Sequence, residues 1–378
     1  MASTSTPRRR SVVAVGLVVL AMLTACSSSS DSNASSARST TTATSSTTTT
    51  IAPQTPSTVP TPAGATVTQP AQPTSGPGSS ALTHHDWRVS SGGAGANAWY
   101  VFEPTAPRPK AAPLAIVMHG YYEYAGYDQM YEFIRHTVLG GSVVIYPRWQ
   151  TGEVTPCPGP FDLEPCMKSS LAGIRGALAY LAADPGRVQP QLDRTSYFGF
   201  SFGGILTANL TNRWKDLDLP KPRAIFLDDP HDSGLDGKAE PSLDDSLHGI
   251  PSTVLIECHD GAQGVLAEDP TGACNAVFPK LDHISDTNKA IVLTEPDDHG
   301  RPKLSSAHGV CSAPEGKADA YDWNFCWKVW DDLRTAALDG ARPRASIGDT
   351  TAHTSNGDWS DGTPIASLKV QHEAPIHP

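Results

Sequence analysis

The sequence predicts an α/β domain with a mostly parallel β-sheet and helices on both of its faces. Apolar runs of strand length alternate along the chain with longer segments of helical spacing. This alternation is typical of parallel strands joined by crossover helices. Residues 81–340, about 260 in all, have this texture, and that length suits one α/β domain.

The individual elements follow from the period of the apolar residues. Strands, recognised as short apolar runs, are expected at residues 97–104, 113–120, 141–147, 195–201, 222–229, 252–260 and 289–297. Helices, in which apolar residues recur every three or four positions, are expected at residues 127–140, 167–184, 203–216 and 319–338. Because parallel neighbours need a crossover connection, these helices should cover both faces of the sheet.

The first 25 residues are interpreted as a lipoprotein signal peptide. Arg8, Arg9 and Arg10 precede an apolar run of 13 residues, which is short for a membrane span. Small residues then lead to Cys26, which is similar to the lipobox of bacterial lipoproteins, where the cysteine carries the lipid. The alternatives are an ordinary signal peptide and a twin-arginine export signal. The chain is expected at the cell surface, anchored to the bacterial membrane through Cys26.

The segments on either side of the domain differ in composition. Residues 26–80 are rich in Ser, Thr and Pro and are expected to form a disordered stalk, because they cannot bury enough apolar surface to fold. Residues 341–378 contain scattered apolar side chains, so part of this extension should pack on the domain. Removing residues 1–25 takes three arginines and no acids from a net charge of −11, which leaves −14. That charge argues against a nucleic-acid partner.

The cysteines indicate an oxidising compartment. Without Cys26, six cysteines remain, an even number that favours disulfides. The expected pairs are neighbours in sequence: Cys157 with Cys166, Cys258 with Cys274, and Cys311 with Cys326. The alternative, a metal site, is disfavoured because the sequence has no C-x-x-C motif.

The stretch "GFSFGG" predicts a nucleophilic serine at a strand-to-helix turn. Ser201 stands where one predicted strand ends and a helix begins, and glycines at 199 and 203 leave room for a sharp turn. The alternative is that Ser201 only caps the helix. A nucleophilic serine also needs an oxyanion hole, for which we nominate the backbone N–H groups of Phe202 and of Tyr121, after the motif "HGY".

A serine nucleophile needs a base, which is usually a histidine oriented by a carboxylate. His299 is the first choice for the base, because it follows a strand end closely, and His308 in the same loop is the alternative. Asp260, at another strand end, is the first choice for the acid. Its competitors are Asp228, Asp229, Asp232 and Glu257.

Together, the motifs "HGY", "GFSFGG", "ECHD" and "DDHG" resemble those of the α/β-hydrolase family over about residues 85–340. The resemblance implies a serine hydrolase that cleaves carboxylic esters through an acyl-enzyme on Ser201, without a cofactor or metal. It implies a small-molecule or lipid ester as substrate and a chain that acts as a monomer. An acyltransferase with the same triad, or a non-catalytic binding protein of this fold, are the alternatives.

Overall fold

The computed structural model describes residues 66–121, 123–152, 157, 163–231 and 243–378. These ranges contain one sheet of nine strands. The strands are β1 (Trp87–Gly92), β2 (Trp99–Pro104), β3 (Ala111–Met118), β4 (Val143–Pro147), β5 (Gln189–Phe200), β6 (Pro222–Asp228), β7 (Leu255–Gly261), β8 (Lys289–Thr294) and β9 (Lys369–Gln371). Their order across the sheet is β1-β2-β4-β3-β5-β6-β7-β8-β9.

The helices occupy the connections between the strands. They are α1 (Tyr131–Leu139), α2 (Leu163–Ala182), α3 (Phe202–Asn212), α4 (Val265–Glu268), α5 (Ala273–Val277), α6 (Trp327–Asp339) and α7 (Thr351–Thr354). A π-helical turn at Asp322–Cys326 leads into α6. In the described part of the chain, none of the helices is long and apolar enough to cross a bilayer.

The core lies in two layers, one on each face of the sheet. Alternate strand residues point to opposite faces: Ile116 and Ile145 pack in the layer that contains α2 and α3. Val117 and Tyr146 pack in the other layer, with α1 and α6. The predicted class, a mostly parallel sheet with helices on both faces, is therefore confirmed.

The seven predicted strands correspond to β2–β8, and two short edge elements were not predicted. β1 pairs with β2, and β9 with β8, both in antiparallel orientation. The side chains of β1 are largely exposed, and β9 has only three residues. Neither element therefore carries the apolar run by which the central strands are recognised.

The predicted disulfide pairing is confirmed. Cys157 pairs with Cys166, Cys258 with Cys274, and Cys311 with Cys326. Each bond closes a short stretch of chain, with sequence separations of 9, 16 and 15. Three disulfides fit an extracellular protein.

The predicted end of the disordered stalk needs correction. The expected disordered segment ran to residue 80, but residues 66–80 are hydrogen-bonded to the domain. Val67 O accepts from Arg301 N at 2.8 Å, and Gly78 N donates to Asp331 Oδ2 at 2.9 Å. The side chain of Val67 is half-buried and packs against a cluster that contains Leu304, Trp359 and Ile365. Residues 1–65, with the predicted signal peptide, Cys26 and the rest of the stalk, lie outside the described residues.

The C-terminal extension is held to the sheet by a buried ionic cluster. Glu257 on β7 accepts from Ile347 N at 2.8 Å, and its other oxygen lies 3.0 Å from His353 Nε2. Lys328 Nζ donates to the carbonyls of His353 and Ser355, at 2.7 Å each. Burial lowers the pKa of Lys328 to about 8, against the charge of Glu257, which raises it. Glu257 is therefore a buried carboxylate that binds both the imidazole of His353 and a backbone N–H of the extension.

Replacing Glu257 with alanine should destabilise the domain. The substitution leaves His353 buried without its carboxylate, and breaking a buried ion pair in this way costs about 3–5 kcal/mol. We expect urea denaturation to show a loss of that size in the unfolding free energy. The control is Glu373→Ala, which removes an exposed carboxylate from the same extension and should change stability by less than about 0.5 kcal/mol. Equal losses of stability in the two variants would contradict a stabilising role of Glu257 in the buried ionic cluster.

Candidate active site

Ser201 occupies a strained turn between β5 and α3. Its backbone has φ 54° and ψ −129°, a conformation that non-glycine residues rarely adopt. Backbone hydrogen bonds hold it: Ser201 N donates to Asp228 O at 2.9 Å, and Gly204 N donates to Ser201 O at 2.8 Å. The side chain makes no capping hydrogen bond to α3. The hydroxyl is therefore directed elsewhere, against the alternative that Ser201 only caps the helix.

The two glycines of the motif are required by close approach of the backbone. A Cβ atom at Gly199 would overlap the carbonyl of Gly203, and one at Gly203 would overlap the carbonyls of Met118 and His119. The turn is thus packed directly against the end of β3. Any side chain at either position would push Ser201 out of place.

His308 contacts the serine hydroxyl. Its Nε2 lies 2.8 Å from Ser201 Oγ, and its ring lies against Phe200, with centroids 4.8 Å apart. The preceding residues are attached to the end of β7, because Gln263 N donates to Ser306 O at 3.0 Å. The imidazole is thus fixed from the sheet side, while 36% of its side chain stays exposed.

Asp229 faces the other nitrogen of the same imidazole. Its Oδ2 lies 3.7 Å from His308 Nδ1, an ion-pair distance. The buried carboxylate also accepts from Gly261 N at 3.0 Å and from Gly309 N at 3.4 Å. Its backbone has φ 44°, held by a bond of 2.7 Å from Asp229 N to His259 O. Ser201, His308 and Asp229 therefore form one line at the carboxyl ends of the strands.

The charge of Asp229 reaches the imidazole. Burial alone would lower the pKa of His308, but the hydrogen bond and charge of Asp229, with smaller contributions from Asp228 and Glu123, raise it above its ordinary value. The arrangement thus favours a proton on His308.

A second buried pair, His259 and Asp228, lies next to Ser201 and Asp229. His259 Nδ1 lies 2.6 Å from Asp228 Oδ1, and His259 Nε2 lies 2.9 Å from Thr294 Oγ1. None of the three side chains is exposed. The same two residues supply the carbonyls that accept from Ser201 N and Asp229 N. The pair therefore positions the backbone of both the nucleophile and the acid.

The structure does not bring the predicted base, His299, to Ser201. Its Nε2 lies 2.8 Å from Asp361 Oδ2, on the C-terminal extension. Asp297 and Leu304 exchange two backbone hydrogen bonds, of 2.9 and 2.8 Å, and this hairpin carries His299 on its outer end. The chain then returns to the sheet and presents His308, the alternative, to Ser201.

The structure does not place the predicted acid, Asp260, against the imidazole of His308 either. Its carboxylate accepts from Cys274 N, in the first turn of α5, at 3.2 and 3.3 Å. Asp229, one of its weighed competitors, faces the imidazole in its place. Of the other competitors, Asp228 binds His259, Glu257 belongs to the C-terminal cluster, and Asp232 lies outside the described residues.

The predicted oxyanion residues flank the nucleophile. Phe202 is the first residue of α3, and Tyr121 follows the end of β3, with the two rings 6.4 Å apart. The turn before Tyr121 touches the serine, since a Cβ at Gly120 would lie 3.3 Å from Ser201 Cβ. Both predicted backbone groups therefore belong to segments that border Ser201.

Glu123 is a site residue that the sequence reasoning missed. Its Oε2 accepts from Gly120 N at 3.2 Å, and its own N–H donates to Gly120 O at 3.3 Å. Burial, with a smaller contribution from the charge of Asp228, raises the pKa of Glu123 to about 7, although the hydrogen bond from Gly120 N and the charge of His308 lower it. The signal was its place three residues after Gly120 in "HGYYE". His231, whose ring lies 6.1 Å from that of His308, was missed as well.

The buried site offers no set of metal ligands among the described residues. Asp228, His259 and Cys311 have ligand atoms close together, but Cys311 is disulfide-bonded to Cys326 and has no thiolate to give. His119, in the motif "HGY", has both ring nitrogens against backbone carbonyls, of Gly120 and Arg148. The arrangement that remains is a serine, an imidazole and a carboxylate.

Comparison with known proteins adds little to this geometry. No family model matches the chain, and no curated protein matches it. Among solved structures, esterase B from Lactobacillus rhamnosis inhibited by a C4-C4 SN3 tributyrin phosphonate has a TM-score of 0.39 and 14% identity, covering 56% of this chain and 76% of that one. Another structure of the same enzyme has a TM-score of 0.38 and 15% identity, covering 56% and 74%. Values this low carry no argument about activity.

Removing the charge of Asp229 should lower the pKa of His308. In Asp229→Asn the imidazole loses the largest interaction that favours its proton, so its titration should move to lower pH. An NMR titration of the His308 ring resonances measures this directly. The control is Asp298→Asn, which removes an exposed charge from the hairpin that carries His299. No movement in Asp229→Asn, or the same movement in both, would refute the assigned pair.

Proposed function

We propose that this protein is a serine hydrolase that cleaves carboxylic esters through an acyl-enzyme on Ser201. The single observation that carries the proposal is the 2.8 Å contact between Ser201 Oγ and His308 Nε2, with Asp229 on the other side of the ring. A serine is activated when its hydroxyl lies on a strained turn next to a base and a buried acid orients that base.

The reaction follows from these atoms. As Ser201 Oγ attacks the ester carbonyl carbon, its proton passes to His308 Nε2, and the C=O pair moves onto oxygen. The tetrahedral intermediate collapses with loss of the alcohol, which takes the proton from His308. Water then repeats both steps on the acyl-enzyme and releases the acid. Asp229 holds Nδ1–H of His308 throughout and stabilises the imidazolium.

The negative oxygen of the intermediate needs donors. We assign this role to the backbone N–H groups of Phe202 and Tyr121, because Phe202 begins α3 and Tyr121 follows a turn that contacts Ser201. The hydrogen bond from Gly120 N to Glu123 Oε2 supports the shape of that turn.

The setting of the enzyme is also part of the proposal. An apolar run after three arginines, followed by small residues and Cys26, supports export and a lipid anchor, and the three disulfides favour an oxidising compartment. A non-catalytic role would need the histidines away from Ser201, and the contact with His308 speaks against it.

Ser201→Ala and His308→Ala should abolish hydrolysis of a short-chain aryl ester. Each variant removes a member of the triad, so kcat/KM should fall by at least about a thousandfold. Labelling with a fluorophosphonate should mark Ser201 in the wild type and disappear in both variants.

The matched control is His299→Ala, another histidine of the same loop. Because His299 binds Asp361 and not Ser201, its loss should leave kcat/KM within about twofold of the wild type. Hydrolysis that survives Ser201→Ala, or that depends on His299 and not His308, would overturn the assignment. Circular dichroism and melting curves confirm that each variant is folded.

The pH profile of hydrolysis should have its lower limb above the ordinary histidine pKa of about 6.5. The base must be neutral to accept a proton, and the pKa of His308 is raised. We therefore expect kcat/KM to rise with pH through this raised pKa and then to level off. The ionised form of Glu123 contributes to the rise in pKa, so Glu123→Gln should shift the limb to lower pH. The control Glu268→Gln alters an exposed carboxyl and should leave it in place. A limb below pH 6.5 in the wild type would exclude His308 as the base.

A further inference from the structure

A second group of titratable side chains lies on the segments that precede β7 and β8. Nε2 of His248 lies 2.6 Å from Oδ1 of Asp282, and the ring of His248 lies 4.7 Å from that of His283, between centroids. Each of the three residues can offer a ligand atom within 4.8 Å of the other two. The proposed triad uses none of them.

His283 has the orientation of a metal ligand. Its Nε2–H donates to Ile250 O at 2.8 Å, which fixes the ring and leaves the lone pair on Nδ1. That Nδ1 is shielded from solvent and has no hydrogen-bond partner among the described residues. Metal-bound histidines typically donate their other N–H to a backbone carbonyl in this way. A buried acceptor without a donor is costly, and a cation would satisfy it.

We propose that His248, Asp282 and His283 form a zinc site at the surface of the domain. His283 would supply Nδ1, His248 would supply Nε2, and Asp282 a carboxylate oxygen, with water in the fourth position. Zinc would replace the hydrogen bond between His248 Nε2 and Asp282, and the neutral His248 ring would then carry its one proton on Nδ1 instead of on Nε2.

The geometry and the donors suit zinc. Tetrahedral zinc with bonds of about 2.0–2.2 Å places its ligand atoms about 3.3 Å apart, so His248 and Asp282 must part slightly. Both can do so, because their side chains are 58% and 70% exposed. Two imidazoles and one carboxylate favour zinc over magnesium or calcium, which prefer oxygen donors.

The metal would add a further link between two parts of the chain that already meet, for example through Lys280 Nζ, which donates to Asp245 O at 3.2 Å. The segment with His248 is attached to α3, since Gly249 N donates to Asn212 Oδ1 at 2.8 Å and Asn212 Nδ2 donates to Asp244 Oδ2 at 2.7 Å. The segment with His283 leads into β8. A bound zinc would therefore link α3, whose first turn adjoins Ser201, to the approach of β8.

The test is zinc binding by the full chain after treatment with a chelator. Isothermal titration should show one site with a defined stoichiometry, and zinc should raise the melting temperature. His248→Ala and His283→Ala should each weaken zinc binding at least tenfold. Bound Co²⁺ should give visible absorption bands with nitrogen ligands, which both variants should lose.

Two controls separate this site from others. His377→Ala removes an exposed histidine and should bind zinc as the wild type does, and His308→Ala should retain the site if zinc does not bind at the triad. Should His283→Ala fail to fold, His248→Ala, which alters a largely exposed side chain, gives the answer alone. Absence of zinc binding, unchanged affinity in His248→Ala, or loss of binding only in His308→Ala would each overturn the proposal.

Discussion

The strained backbone of Ser201 is the constraint on which the site depends. A non-glycine residue at φ 54° is costly, and the cost is offset by bonds at both of its peptide groups, from Ser201 N to Asp228 O and from Gly204 N and His231 N to Ser201 O. Asp228 ends β6 and His231 follows it closely, whereas Gly204 lies in the first turn of α3. The ends of β5 and β6 are thus locked together, which places the hydroxyl of Ser201 and the carboxylate of Asp229 on the same edge of the sheet.

The histidine reaches that edge because of the loop after β8. Asp297 and Leu304 close a hairpin that carries residues 298–303 outward, and Gln263 N–H then attaches Ser306 to the end of β7. His308 follows within two residues of that attachment. The imidazole thus arrives between Ser201 and Asp229 by backbone pairing, and its position depends little on the length of the loop.

The sequence was sufficient for the central strands, the disulfide pairs and Ser201, because each has a local signal: an apolar run, neighbouring cysteines, or glycines around a serine. It was insufficient for the partners of Ser201. Asp229 and Asp260 stand at the ends of adjacent strands, and only the positive φ of Asp229 and the N–H groups of Gly261 and Gly309 decide which one faces the imidazole. Likewise, closeness to a strand end favoured His299, whereas a long-range hairpin decided for His308.

Several acidic side chains crowd the site, and one of them orients His308. Asp228, Asp229 and Asp260 are buried, Glu123 is half-buried, and all four lie near the imidazole of His308. Burial raises the pKa of Asp228 and of Glu123, and raises that of Asp260 well above its ordinary value. Asp229 alone among them combines two backbone donors with the nitrogen of His308. In the proposed reaction, Asp229 is therefore the carboxylate placed to orient His308 and to balance its imidazolium.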